Sequence, residues 1–145
     1  MLNVDFCNIR GLHSNLNAVH HHLETAQPAL LFLTETQIAR PSHTAYLQYP
    51  GYKIEHDFMV AVFVREDLSF RRFTHFEGRD LSTIRLRVDS DDRARVYACL
   101  DKSHSGNSET DQLMEHIQSA VDDMLSQIPS AEIALLGEFN AHNAS

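Results

Sequence analysis

The sequence predicts an α/β domain with strands running in both directions, on two observations. Short apolar runs that suit buried strands recur along the chain, and two intervening stretches carry apolar residues at helical spacing. A third observation points toward function. Three of the predicted strands finish in acid or amide side chains rather than in ordinary turn residues.

The elements follow in order. "NVDFCN" suits a short strand, with Val4 and Phe6 on one face and Asp5 and Cys7 on the other. Leu16, Val19 and Leu23 mark a helix, with Ser14 placed to cap it and Pro28 beyond its end. "ALLFLTET" is a continuous apolar run, as expected of a strand covered on both faces. Pro41, Pro50 and Gly51 mark a loop before the strand "YKIEH", and "MVAVFV" reads as another buried strand. In "STIRLRV", Ile84, Leu86 and Val88 alternate with Arg85 and Arg87, which predicts one wet sheet face. The turn "DSDD" then leads into "RARVYACL", and the pair predicts an antiparallel hairpin. Leu113, Ile117, Val121, Met124 and Ile128 form the apolar stripe of a second helix that Pro129 stops, and "EIALLG" is the last strand.

The chain has 145 residues, 43% of them hydrophobic, which is enough for one domain with its own core. No repeat, low-complexity tract or Gly/Ser linker divides it. No apolar stretch is long enough for a membrane span, and "MLNVDFCNIR" lacks the basic start and apolar core of a secretory signal. Cys7 and Cys99 match no zinc or redox spacing and read as reduced core thiols. An intracellular protein, nuclear or cytoplasmic and without a membrane partner, is the expectation.

The net charge of −8 bears on partners. Eight of the twelve basic residues lie between Arg65 and Arg95, but seven acids share that stretch, so unaided capture of nucleic acid would be weak.

The strand ends carry the candidate chemistry. The first strand runs into Asn8, the second into Glu35, and the last into Glu138 and Asn140 in "GEFN". If these strands lie side by side in parallel, their C-terminal ends open on one edge, where α/β sheets bind ligands. Two carboxylates and two amides there form an oxygen-rich, thiol-free set suited to a hard cation such as Mg²⁺. Spacing alone supports equally well two ordinary strand-end acids that hydrogen-bond nearby loops.

The stretches "CNIRGLHSN", "LLFLTET", "YPGY", "VAVFVRED" and "IALLGEFNAHN" occur in a recognisable order and spacing. Together they resemble the endonuclease domain of non-LTR (LINE-type) retrotransposons, most closely the arthropod type, within the endonuclease/exonuclease/phosphatase superfamily. The resemblance implies a four-layer α/β sandwich, two mixed sheets flanked by helices, and a Mg²⁺- or Mn²⁺-dependent phosphodiesterase that nicks DNA. A reverse transcriptase domain would lie downstream. Carried over by motif, Asn8 supports metal and phosphate, Glu35 is the main metal ligand, and Glu138 takes a further carboxylate position at the metal. Asn140 contacts the scissile phosphate and helps place the attacking water. Arg10 and His142 are further candidates for substrate contact.

The chain departs from that pattern in four places. Glu138 stands where the family has aspartate, and its extra methylene displaces the charge by more than about an ångström, enough to cost roughly 10²-fold in rate. Asp101 and Lys102 stand where relatives carry a tyrosine and an arginine. "HDFM" shortens the approach to the strand at Val60. Finally, the sequence reaches Ser145 without the further strands and the closing Ser-Asp-His motif of the family. The expectation is therefore a partial domain over residues 1–145, the N-terminal portion of the sandwich, inactive or severely impaired as a nuclease on its own. The competing expectations are a non-catalytic binding or assembly module, and a phosphatase or RNase of the same superfamily.

Other features read as structural. Consecutive helical residues point about 100° apart, so His20, His21 and His22 cannot face one ion. Arg85 and Arg87 would meet DNA backbone only against Asp89, Asp91 and Asp92, which follow at once.

Overall fold

The computed structural model describes residues 2–38, 44–57, 59–72, 82–90, 93–101, 118–119, 121–122, 125–126 and 132–138. The elements are β1 (Val4–Asn8), α1 (Leu12–Ala26), β2 (Leu30–Thr34), a 3₁₀ turn (Ala45–Leu47), β3 (Tyr52–His56) and β4 (Val60–Arg65). They continue with β5 (Ser69–Arg72), β6 (Ser82–Ser90), β7 (Arg93–Asp101) and β8 (Glu132–Glu138). Of the expected second helix, the described residues 118–119, 121–122 and 125–126 are helical, and Gln118 Nε2 donates to Asp122 Oδ1 one turn on at 2.9 Å. Leu113, Ile117, Met124 and Ile128 lie outside the described residues.

The strands form two mixed four-stranded sheets, ordered β1-β2-β4-β3 and β5-β6-β7-β8. β1 and β2 are parallel in the first, and β7 and β8 in the second, while the remaining neighbours are antiparallel. The predicted hairpin is β6–β7.

Alternation along β2 builds two interfaces at once. Leu30 and Phe32 join Val60, Val62, Ile84, Leu86, Tyr97 and Cys99 in the core between the sheets. Leu31 and Leu33 join Leu12, Val19, Leu23 and Phe63 under α1. Every residue of β2 is buried, which is why the sequence there is unbroken apolar. Each fully buried Leu or Phe contributes about 1.5–3 kcal/mol relative to exposure, so this strand anchors the layers.

Four expectations need correction. Cys7 is exposed, and of the two thiols only Cys99 is buried. Ser14 does not cap α1. The helix starts at Leu12 with Gly11 at the cap position, φ 105° and ψ 107°, and no side-chain cap bond. The early helix amides find partners in another element instead: Gly11 N–H donates to the Glu35 carbonyl at 2.7 Å and Leu12 N–H to the Thr36 carbonyl at 2.9 Å. Those bonds take over the role of a cap.

The Arg85 face is wet only in part, since Arg71 and Arg87 reach solvent there but Arg85 does not. Arg85 is 1% exposed, and Val96, Ala98 and Leu100, on the face of β7 opposite Tyr97 and Cys99, are buried too. Alternation assigns residues to faces correctly here, but it cannot report that part of the outer face is also covered.

The three strands with polar ends are not side by side in one sheet. β1 and β2 are neighbours, whereas β8 extends the second sheet and packs against both across the interlayer. Its partner is β7, because Arg95↔Glu132 through Asp101↔Glu138 fall in parallel register.

Candidate active site at the strand ends

Asn8 and Thr34 are partners at the ends of β1 and β2, and the Ile9 amide continues the ladder to the Thr34 carbonyl at 3.0 Å. Beyond that point both chains turn sharply. Arg10 (φ 52°), Glu35 (φ 54°) and Gln37 (φ 57°) all take the left-handed conformation, at a cost of order 1–3 kcal/mol each for non-glycine residues.

Hydrogen bonds hold these turns together. The Gly11 amide fixes the Glu35 carbonyl, and Thr36, 1% exposed, donates to the Met59 carbonyl at 3.2 Å and accepts from Leu12. Asn15 Nδ2 bridges the carbonyls of Ile9 at 3.0 Å and Gly11 at 2.8 Å, clasping the turn that contains Arg10. Sequence reasoning missed Asn15. Its signal was an asparagine, a poor helix former, in the first turns of a helix that opens on glycine.

The alternation of β1 puts Asn8 on the face of Val4, which packs into the inter-sheet core. Thr34 lies on the equivalent face of β2 with Leu30 and Phe32, and its Oγ1 is buried with no hydrogen-bond partner among the described residues. The corner where the first sheet meets the second is thus lined by polar groups. Glu35 is half-buried, and Arg10 is exposed above it at the head of α1. The positive end of the α1 dipole lies at the same corner, which favours an anionic group.

On the other side of the interlayer, β8 ends at Glu138, opposite Asp101 in register. The residue before it is Gly137, with φ 145°. A Cβ there would fall 2.1 Å from the Leu100 carbonyl oxygen, so only glycine fits against β7. Gly137 therefore sets the course of β8 into Glu138. Asn140 and His142 lie outside the described residues, as does Lys102, and the side chains of Glu138 and Asp101 are not described. The structure brings Asn8, Arg10 and Glu35 to one corner and packs β8, the strand that ends at Glu138, against β1 and β2.

A hard cation suits the donors present at that corner. Asn8 and Glu35 offer oxygen alone, and Mg²⁺ needs only one or two carboxylates besides water. Among the described residues no three His, Cys, Asp or Glu side chains come together as a metal-holding group. Glu35, with Asn8 beside it, would hold the ion.

The described strands build an α/β sandwich of two mixed sheets, and known structures share that fold. D. rerio TDP2, solved in complex with a single-strand DNA product, superposes with a TM-score of 0.69 at 15% identity, over 96% of this chain and 60% of that one. The human Nocturnin catalytic domain gives 0.70 at 12% identity, over 97% of this chain and 64% of that one. An endonuclease/exonuclease/phosphatase family protein from Bacteroides thetaiotaomicron gives 0.66 at 14% identity, over 96% and 63%. The chain thus spans less than two thirds of the length of these three structures. At such identities the likeness establishes the fold. No protein-family model and no curated protein matches the sequence.

Proposed function

We propose that these residues carry the metal-and-phosphate corner of a divalent-metal phosphodiesterase acting on DNA, of the kind found in the endonuclease domain of non-LTR retrotransposons. The observation that carries this reading is the clasped end of β1 and β2, which holds Glu35 in a left-handed turn beside Asn8. Such local strain, held in place by hydrogen bonds, is characteristic of functional sites. The sandwich fold and the DNA product bound by D. rerio TDP2 support a phosphodiester substrate.

In this reading Glu35 and Asn8 hold the ion, with Glu138 contributing from the facing sheet. A bound Mg²⁺ or Mn²⁺ would neutralise charge developing on a phosphoryl oxygen. Arg10 offers a guanidinium to a non-bridging phosphate oxygen, a pairing its planar donors suit. Asn140 and His142 complete the substrate side, as the motif resemblance implies. A downstream reverse transcriptase and an intracellular site of action, nuclear or cytoplasmic, belong to the same reading. Among the described residues no helix is long and apolar enough to cross a membrane.

Glu138 stands where the resembled family has an aspartate, so cleavage by the 145-residue chain is severely impaired. The test is nicking of supercoiled plasmid with Mg²⁺, beside a Glu35→Ala control. The expected result is cleavage no faster than the control. Robust cleavage abolished by Glu35→Ala would overturn the impairment while confirming the site.

A further inference from the structure

Every residue of β2 is buried, and all but the last are apolar. That last residue, Thr34, is 0% exposed, and its Oγ1 has no hydrogen-bond partner among the described residues. A buried hydroxyl in that condition lowers stability, whereas valine has nearly the same shape and no polar atom to satisfy. Valine suits the adjoining positions. Val60, the register partner of Thr34 on β4, and Val62 and Val64 beyond it are all fully buried. Packing therefore gives no reason for a hydroxyl at position 34.

The surroundings of Thr34 supply one. Its register partner on the other side is Asn8 of β1. Neighbouring strands lie about 4.8 Å apart, so the two side chains stand together on the inter-sheet face. Deeper between the sheets, Phe32 and Tyr97 hold their rings 5.9 Å apart among Leu30, Val62 and Leu86. In the other direction the next residue is Glu35, in its left-handed turn. Thr34 is thus the floor of the corner, between an apolar core and the residues that would hold the ion.

We infer that Thr34 is a positioning residue for that ion, its Oγ1 accepting a hydrogen bond from a water that the ion carries. This rests on the reading of Glu35 and Asn8 as the ion's ligands. Mg²⁺ dehydrates reluctantly and keeps several waters where only one or two carboxylates reach it. The cation polarises each of those waters, which makes them strong donors. In a half-buried corner such donors need acceptors from the protein. Glu35 and Asn8 are assigned to the ion itself, and Thr34 Oγ1 is an acceptor buried beside them with its capacity unused among the described residues. Hydrogen bonds one layer out from a metal fix its ligands in place and change affinity by about 10- to 100-fold.

The test compares Thr34→Val and Thr34→Ser in the full 145-residue chain. Mn²⁺ affinity is measured by calorimetry, and thermal unfolding is measured free of metal. Valine removes the hydroxyl and keeps the volume, whereas serine keeps the hydroxyl and loses a methyl. Thr34→Val should melt at or above the parent temperature yet bind Mn²⁺ at least ~10-fold more weakly. Thr34→Ser should melt lower and keep the parent affinity. Opposite movements of stability and affinity are what a merely structural threonine would not give. Unchanged affinity in Thr34→Val, with binding still lost in Glu35→Gln, would overturn the inference and leave the ion site standing. Equal weakening in both Thr34 variants would overturn it by tying the loss to packing. A Thr34→Val chain that melts below the parent would also overturn it, since the fold itself would then hold the hydroxyl. A parent chain that binds no Mn²⁺ would overturn both this inference and the reading of the site.

Discussion

The Gly11 amide donates to the Glu35 carbonyl at 2.7 Å, tying the head of α1 to the end of β2. This bond links the helix start to the left-handed turn that carries the candidate metal ligand. Asn15 braces it by holding the carbonyls on both sides of Arg10. Asn15→Ala removes two such bonds and should destabilise the chain by about 1–3 kcal/mol, measured by urea unfolding. Exchange of the Gly11 amide should accelerate in the same variant. Loss of stability with no change at Gly11 would show that Asn15 acts elsewhere.

Glu35 sits at φ 54°, so its side chain is kept at a conformational cost. Glu35→Gly should relieve up to ~1 kcal/mol and raise the thermal midpoint, while removing metal binding. A gain in stability with loss of the site would mark the residue as retained for chemistry. A destabilised Glu35→Gly variant would mean that the carboxylate is a structural partner of the loop.

Two glycines should respond very differently to alanine. Gly137→Ala drives a Cβ against the Leu100 carbonyl and should cost more than ~3 kcal/mol or abolish folding. At Gly51, with φ 89° and open space around the position, alanine should cost only ~1–2 kcal/mol. Melting of the two variants side by side checks this contrast.

The fold was legible because two signals were strong. The unbroken apolar run ending at Thr34 announced a strand covered on both faces, and the polar ends of β1, β2 and β8 pointed to a candidate site. The allocation of β8 to the second sheet was not legible, since register between distant strands leaves no local trace. Nor was the cap of α1, because its hydrogen bonds come from residues 35 and 36, far along the chain from Gly11 and Leu12. The burial of Arg85 was hidden for a related reason. Alternation records which face a residue takes, not what covers it. Gly137 was visible as a glycine within a strand pattern, but the backbone of β7 that excludes a side chain there was not.

His56 gives a pH handle remote from the candidate site. Burial, followed by the nearby Arg72 guanidinium, holds its pKa below the ordinary value of 6.5. The unfolded chain therefore binds the proton more readily, and stability should rise with pH across the window between the two values. The contribution is complete above about pH 6.5 and is lost as pH falls through the depressed folded pKa. His56→Gln should flatten that part of the stability curve, followed by urea midpoints between pH 5 and 7.5. A slope unchanged in the variant would assign the effect to other histidines.

The central claim is that the end of β1 and β2 is a metal site built on Glu35. The most direct test is titration of the 145-residue chain with Mn²⁺, followed by the paramagnetic broadening of backbone amide signals. The account predicts saturable broadening centred on residues 8–11 and 34–36, displaced by Mg²⁺ and lost in Glu35→Gln with the fold intact. Broadening elsewhere, or broadening at that corner that Glu35→Gln leaves unchanged, would contradict it.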